Sequence, residues 1–213
     1  MIKFDETLVF GFEPAIRGMR NPMNSWDKSD SYYVWPSDEE FHIGQNDYDL
    51  MMKLRNAGTD HRKFMRMICV YVDITAPLYW WKEYSTYKVG TVANSCSTMH
   101  KIQAKEFTLD DFSHEHLLEQ DEKALNYIVD YLNINRRSYL DTKDKTYWWQ
   151  MIQLLPSSYN QKRTVMLNYE VLANIYKSRK NHKLDEWRDF CKWIETLPYS
   201  ELITGGEDGR SDD

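Results

Sequence analysis

The chain has 213 residues, enough to bury a substantial hydrophobic core in one large domain. Its net charge of −6 argues against a protein that binds nucleic acid over its whole surface. No stretch approaches the roughly 20 apolar residues that cross a bilayer, and the start of the chain does not resemble a signal peptide. Three widely spaced cysteines favour a reducing compartment over a disulfide framework, so we expect a cytoplasmic protein with no membrane or nucleic-acid partner.

The first segments of the chain predict a loop followed by a helix. Residues 16–41 lack periodicity and carry turn signals, which predicts a long ordered loop with a short strand at 32–35. Asp47 is a good capping residue, so a helix over 47–57 is expected, and Gly58 is suited to end it.

A strand is predicted over residues 64–75, because Ile68, Val70, Val72 and Ile74 alternate with more polar residues. Pro77 follows at a position suited to begin a helix, since proline lacks the N–H that would be unpaired there. That helix carries the first of two tryptophan pairs, Trp80-Trp81; the second is Trp148-Trp149. In each pair we expect one ring in the core and one against a partner subunit.

The rest of the chain predicts helices over 119–132, 142–155, 164–178 and 184–197, and Pro156 and Pro198 mark two of their ends. Strands followed by many helices predict an α+β domain with a small antiparallel sheet. We expect one domain over 1–204 and a disordered acidic tail over 205–213.

Four residues near the predicted helix at 164–178 lie on one narrow stripe: Asn168, Leu172, Ile175 and Arg179. An apolar stripe with an amide at one end and a guanidinium at the other admits two interpretations. Either the two polar groups border a ligand site, or they only lie at the edges of a packed core.

A longer pattern surrounds this stripe, and its members are Leu155, Pro156, Tyr159, Asn168, Leu172, Asn174, Arg179, His182 and Trp187. A second pattern, over residues 71–79, ends in the segment Ala76-Pro77-Leu78-Tyr79. In order and spacing, the two patterns resemble the flavin-dependent thymidylate synthases. The resemblance implies the fold of that family, an α+β domain with a small antiparallel sheet and several helices, and it also implies a homotetramer.

The family's hallmark is Arg-His-Arg, seven residues, then Ser. Aligned from Ala76-Pro77, this chain has Thr86-Tyr87-Lys88 and then Cys96 at those positions. An arginine presents a two-pronged fork to a phosphate, a lysine presents a point charge, and a threonine is neutral. Each lost charge-assisted hydrogen bond weakens binding by roughly 1.5–3 kcal/mol.

The resemblance also implies ligands and site residues. The ligands are FAD, a folate that supplies carbon, and dUMP as the pyrimidine nucleotide. The residues implied for the flavin are Asn168, Asn174, Thr86 and Tyr87, and those implied for the nucleotide are Arg179, Lys88, Cys96 and Ser97.

The altered hallmark leaves two functions open. One is the reductive methylation of dUMP to dTMP, and the other is a non-catalytic protein that binds a pyrimidine nucleotide or a partner on the same fold. Cys96 is either a nucleophile, with His100 four residues on, or a small buried residue. The two histidines of His114-Glu115-His116 diverge on a helix, so no metal site is expected.

Overall fold

The computed structural model describes residues 1–34 and 41–205, which form an α+β fold with a small antiparallel sheet, as predicted. The strands within the described residues are β1 (Lys3–Phe10), β2 (Tyr32–Tyr33), β3 (Phe41–His42), β4 (Cys69–Pro77), β5 (Val92–Ser95) and β6 (Asn160–Asn168). The α-helices are α1 (Phe12–Arg20), α2 (Gln45–Asn56), α3 (Leu78–Tyr84), α4 (Thr98–Lys101), α5 (Glu119–Thr142), α6 (Lys145–Leu154), α7 (Tyr169–Arg179), α8 (Asp185–Glu195) and α9 (Glu201–Thr204).

The main sheet has four strands in the order β1-β4-β6-β5, and β2 pairs with β3 in a separate antiparallel ribbon. The chain divides into two compact units. The first unit comprises Met1–Asp5, Asp73–Thr86 and Ala93–Thr164, and the second comprises Glu6–Val72, Tyr87–Val92 and the chain from Val165 onward. A single domain over 1–204 stays a prediction.

The alternating pattern of β4 is confirmed, because Ile68, Val70, Val72 and Ile74 are all buried. The predicted strand began too early, however. The segment Arg62–Met67 forms a 3₁₀ helix whose Phe64 and Met65 are buried, so the apolar residues there belong to a helical turn.

The helix predicted over 164–178 is wrong in its first turn. Residues up to Asn168 continue β6, where Val165 and Leu167 are buried on alternate positions, and α7 begins only at Tyr169. Asn168 therefore caps the helix instead of lying within it. Leu172 and Ile175 are fully buried, which confirms the apolar part of the predicted stripe.

The loop predicted over 16–41 is also corrected, since its first residues belong to α1, in which Ala15, Ile16 and Met19 are buried. The predicted short strand appears as Tyr32–Tyr33, and its last residue, Trp35, lies outside the described residues. Residues 206–213 of the predicted tail also lie outside the described residues.

The helix predicted at 47–57 exists, but Asp47 is not its cap. Gly44 occupies that position, and Gly58 follows the helix with a positive φ of 104°. The Asp47 carboxylate is completely buried beside Arg20, whose Nε donates to it over 2.6 Å. The predicted cap is therefore one half of a buried ion pair.

The first unit has its own core between α5 and α6, built from Leu125, Val129, Leu132 and Met151. Helix α5 runs ten residues beyond its predicted end. It stops at Lys143, which adopts a positive φ of 59°, and Asp144 then caps α6 through the amide of Thr146.

The prediction for the tryptophan pairs is wrong for one pair. Trp80 and Trp81 are both buried, and their rings lie edge to face, 4.9 Å apart. Trp149 is 48% exposed, and its neighbour Trp148 is partly buried against the core of the first unit. Among the described residues, no helix is both long and apolar enough to cross a membrane.

Candidate functional site

A cavity of about 770 Å³ lies within the first unit, and two of the residues predicted for the nucleotide, Cys96 and Ser97, line it. Other lining residues come from β4, from the turn before α5 and from the start of β6, among them Thr75, Lys105, Asp111, Tyr159, Gln161 and Lys162. Volumes of this size are typical of small-molecule sites in proteins. We call it the first cavity.

Backbone pairing holds one wall of the first cavity in place. The Cys96 amide donates to the carbonyl of Lys162 over 2.9 Å, and the Gln161 side chain donates to the carbonyl of Cys96 over 2.7 Å. The indole of Trp81 donates in turn to the Gln161 carbonyl over 2.8 Å. Cys96 is exposed, so its interpretation as a small buried residue is wrong: the segment ends at the cavity surface.

Ser97 lies at the start of the short helix α4 and caps it, since its Oγ accepts from the amide of His100 over 3.0 Å. This bond uses a lone pair of the hydroxyl and leaves its proton available to a ligand. The backbone of α4 thus fixes the position of one hydrogen-bond donor in the first cavity.

Two lysines of the first cavity have carboxylate partners. Lys162 contacts Asp73 over 2.8 Å, and Lys105 contacts Asp111. Hydrogen bonds from Lys162, and then from Thr164, hold the pKa of Asp73 below its ordinary value. Both lysines are substantially exposed, whereas their carboxylate partners are mostly buried. An ammonium group has three donors, so each lysine can face an anion while it keeps its carboxylate partner.

Tyr159 adds an aromatic hydroxyl to the same lining. Its ring packs edge to face on Phe112 at 5.6 Å, and its hydroxyl has no hydrogen-bond partner among the residues that the structure describes. Burial raises the pKa of Tyr159, and Asp111 raises it further, so the phenol stays protonated and able to donate at neutral pH.

Arg179 and Tyr87 meet in the second unit, where they form an aromatic and cationic cluster with Trp187. The Nε of Arg179 donates to the Tyr87 hydroxyl over 2.9 Å. The guanidinium carbon lies 4.6 Å from the centre of the Trp187 ring and 5.7 Å from that of Tyr87. Tyr87, which aligns with the family's histidine, therefore accepts a hydrogen bond from Arg179, the arginine that the resemblance assigns to the nucleotide.

The other residues predicted for the flavin also have partners within the protein. Asn168 accepts from the amide of Val171 over 3.1 Å, and Asn174 accepts from Arg62 over 3.0 Å. The Thr86 hydroxyl donates to the carbonyl of Glu83 over 2.8 Å. Thr86 belongs to the first unit, and the two asparagines belong to the second.

The pyrophosphate of FAD carries negative charge, which charge-assisted hydrogen bonds from cations bind strongly. Thr86, Tyr87, Asn168 and Asn174 are all uncharged, and each makes an internal hydrogen bond. Lys88 is exposed and is the only cation in the aligned hallmark. The four residues predicted for the flavin therefore supply no positive charge to that pyrophosphate.

No pattern in the sequence marks Lys105 or Lys162 as a site residue. Tyr159 belongs to the family-like pattern, but the pattern gives it no role. Only the pairing of β5 with β6 brings Cys96 to Lys162, and this long-range contact has no local signal.

Comparison with known proteins identifies the fold. The sequence matches no protein-family model and no curated protein. The structure matches thymidylate synthase X from Helicobacter pylori, solved with FAD and dUMP, with a TM-score of 0.69 at 17% identity over 96% of this chain and 98% of that chain. It also matches the UMP/dUMP methylase PolB from Streptomyces cacaoi, bound with 5-Br UMP, with a TM-score of 0.63 at 12% identity over 96% and 94% of the two chains. The chain therefore has the fold of the flavin-dependent thymidylate synthases, as its sequence predicts.

Proposed function

We propose that this protein binds a pyrimidine nucleoside monophosphate in the first cavity and needs no flavin to do so. One observation carries the proposal: the first cavity contains Cys96 and Ser97, the positions that the resemblance assigns to the nucleotide. The fold supports it, because both compared proteins were solved with uridine nucleotides.

The chemistry of the first cavity suits such a ligand. Lys105 and Lys162 supply positive charge for a phosphate from exposed ammonium groups, which keep donors beyond those that bind their carboxylate partners. The hydroxyls of Ser97 and Tyr159 supply donors for the carbonyl oxygens of the base or for the sugar. Lysines offer point charges instead of the arginine forks of the family's hallmark, so we expect weaker affinity.

Isothermal titration calorimetry with dUMP, without flavin, tests the proposal. We expect saturable binding that weakens at least tenfold in the double variant Lys105→Gln/Lys162→Gln, since each charge-assisted bond contributes roughly 1.5–3 kcal/mol. A matched control removes two exposed lysines that do not line the first cavity, Lys53 and Lys123, as Lys53→Gln/Lys123→Gln. Equal losses in both double variants would show that only net charge matters, and no binding to wild type would refute the proposal.

A flavin-dependent methylation of dUMP is the second candidate, favoured by the fold shared with an enzyme solved with FAD. The two functions separate in a titration of FAD followed by visible absorbance, with and without dUMP. We expect no perturbation of the flavin spectrum. A saturable change that depends on dUMP would favour the enzyme.

The remaining predictions belong to the same proposal. The resemblance assigns Arg179 and Lys88 to the nucleotide as well, but neither residue lines the first cavity. That assignment stays a prediction, which Arg179→Gln tests: a lower affinity for dUMP would support it, and an unchanged affinity would restrict Arg179 to its stack on Trp187. A homotetramer is proposed from the resemblance. A cytoplasmic location is proposed from the three cysteines, all of which are free thiols.

A further inference from the structure

A second cavity, of about 280 Å³, lies within the second unit, and its described lining contains none of the site residues that the sequence predicts. It is formed by α1, by the turns that follow α1 and by β3. Arg20, Ser29 and Ser31 line it together with the apolar side chains of Ile16, Trp26 and Phe41. Its volume is at the small end of ligand sites, so it suits a compact molecule.

Arg20 is only 4% exposed, yet it lines this second cavity. Its Nε donates to Asp47 over 2.6 Å, and its Nη1 donates to the carbonyl of Ser25 over 3.2 Å. Its third nitrogen, Nη2, makes no hydrogen bond to any residue that the structure describes. A guanidinium has five N–H donors, so Arg20 keeps donors for a ligand in the second cavity.

Asp47 offsets the charge of Arg20 but does not use all of its hydrogen-bond donors. Asp47 is completely buried, and its second oxygen accepts from the hydroxyls of Ser29 and Ser31 and from the backbone amides of Asp30 and Ser31. These four donors share the carboxylate with Arg20, so the guanidinium is held by one oxygen only. A bidentate pair would leave fewer of its donors available to a ligand.

The other residues of the second cavity select the kind of anion. Arg17 and Glu13 are exposed and 3.4 Å apart, so their charges offset each other, and among the described lining residues the Arg20 guanidinium is the group that selects an anion. Trp26 presents a flat ring that is 51% exposed, and its orientation is fixed because its indole donates to Asn21 over 2.9 Å. Aromatic walls suit a planar apolar body.

We propose that the second cavity binds a small organic acid. Its carboxylate accepts hydrogen bonds from the free donors of Arg20, and its flat apolar body lies against Trp26 and Phe41. Arginine and carboxylate form the strong charge-assisted pair that this geometry needs.

The test uses three probes on the wild-type protein, followed by ligand-observed NMR: benzoate, benzamide and inorganic phosphate. We expect saturable binding of benzoate, and at least tenfold weaker binding of benzamide, which lacks the charge, and of phosphate, which lacks the apolar body. Equal binding of benzamide would overturn the role of Arg20, and equal binding of phosphate would overturn the role of the aromatic wall. Absence of benzoate binding at millimolar concentration would overturn the whole proposal.

Two variants locate the site. Trp26→Ala removes a largely exposed ring and should weaken benzoate binding at least fivefold, whereas the matched control Tyr127→Ala, 75% exposed in the first unit, should not change it. Because Arg20→Lys could unfold the protein, the role of Arg20 is measured in the wild type by NMR. The Nε–H resonance of Arg20 should shift when benzoate is added and should stay in place when benzamide is added. An unshifted Arg20 resonance would overturn the assignment.

Discussion

Replacing Asp47 by asparagine should destabilise the protein strongly. The carboxylate is completely buried, and donors surround both of its oxygens. An asparagine keeps one acceptor oxygen but turns an NH₂ group either toward Arg20 or toward the backbone amides of Asp30 and Ser31, and all of these groups can only donate. The variant therefore leaves a buried guanidinium without its counter-ion or a set of buried donors without an acceptor.

Breaking a buried pair by removing one partner costs about 3–5 kcal/mol. That is a large part of the roughly 5–15 kcal/mol by which folded domains are stable. Urea unfolding followed by circular dichroism should show it as a lower midpoint for Asp47→Asn. The control Asp49→Asn lies two residues away on α2, where Asp49 accepts only an exposed contact from Gln45, and it should change stability by less than about 0.5 kcal/mol.

The effect should also depend on pH. Burial alone would raise the pKa of Asp47, but hydrogen bonds from Ser29, Ser31 and Arg20 outweigh it and lower that pKa. A carboxylate with a lowered folded pKa contributes stability that is present above its unfolded pKa and lost as pH falls through the folded value. The gap between wild type and Asp47→Asn should be constant from about pH 5 to pH 7 and shrink below about pH 4. A small gap at pH 7, or a gap that grows in acid, would refute this account of the pair.

Three further predictions concern the elements around the candidate residues. Asn168→Ala should cost about 1 kcal/mol in urea unfolding, because the amide of Val171 loses its cap, and Asn168→Asp should restore most of that stability; an equal loss in both variants would contradict a capping role. Gly90→Ala should destabilise the protein by at least about 0.4 kcal/mol, because Gly90 has a φ of 74° and an added methyl would lie 3.0 Å from the Asn168 side chain. An unchanged midpoint of urea unfolding would contradict this. Cys96 should react with an aromatic disulfide reagent at about pH 8 much faster than Cys191, because burial raises the pKa of the Cys191 thiol to about 11. Equal rates at these two cysteines would contradict the exposure of Cys96.

The sequence predicts those parts of the fold that have a local periodic signal. The alternation of Ile68 with Ile74 and the helical spacing of Leu172 and Ile175 survive in the structure because burial enforces both patterns. The start of α7 was misplaced because Val165 and Leu167 are compatible with either a helix or a strand, and only pairing within the sheet decides between them.

The candidate sites were harder to predict than the fold, because contacts between residues far apart in the sequence form them. The contact between Arg179 and Tyr87 joins residues 92 positions apart, and the pair of Arg20 with Asp47 joins residues 27 apart. Asp47 has the sequence context of a helix cap, and nothing local distinguishes a cap from a buried counter-ion. The resemblance supplied the fold and the positions of Cys96 and Ser97, whereas the lysines around them became visible only in three dimensions.

The most direct test of the proposed function is a crystal structure of the protein with 5-bromo-dUMP, in which anomalous scattering locates the bromine. We predict one bromine site within the first cavity, with the phosphate at Lys105 or Lys162. Bromine bound elsewhere, or none at saturating nucleotide, would contradict the proposal that the first cavity is a pyrimidine-nucleotide site.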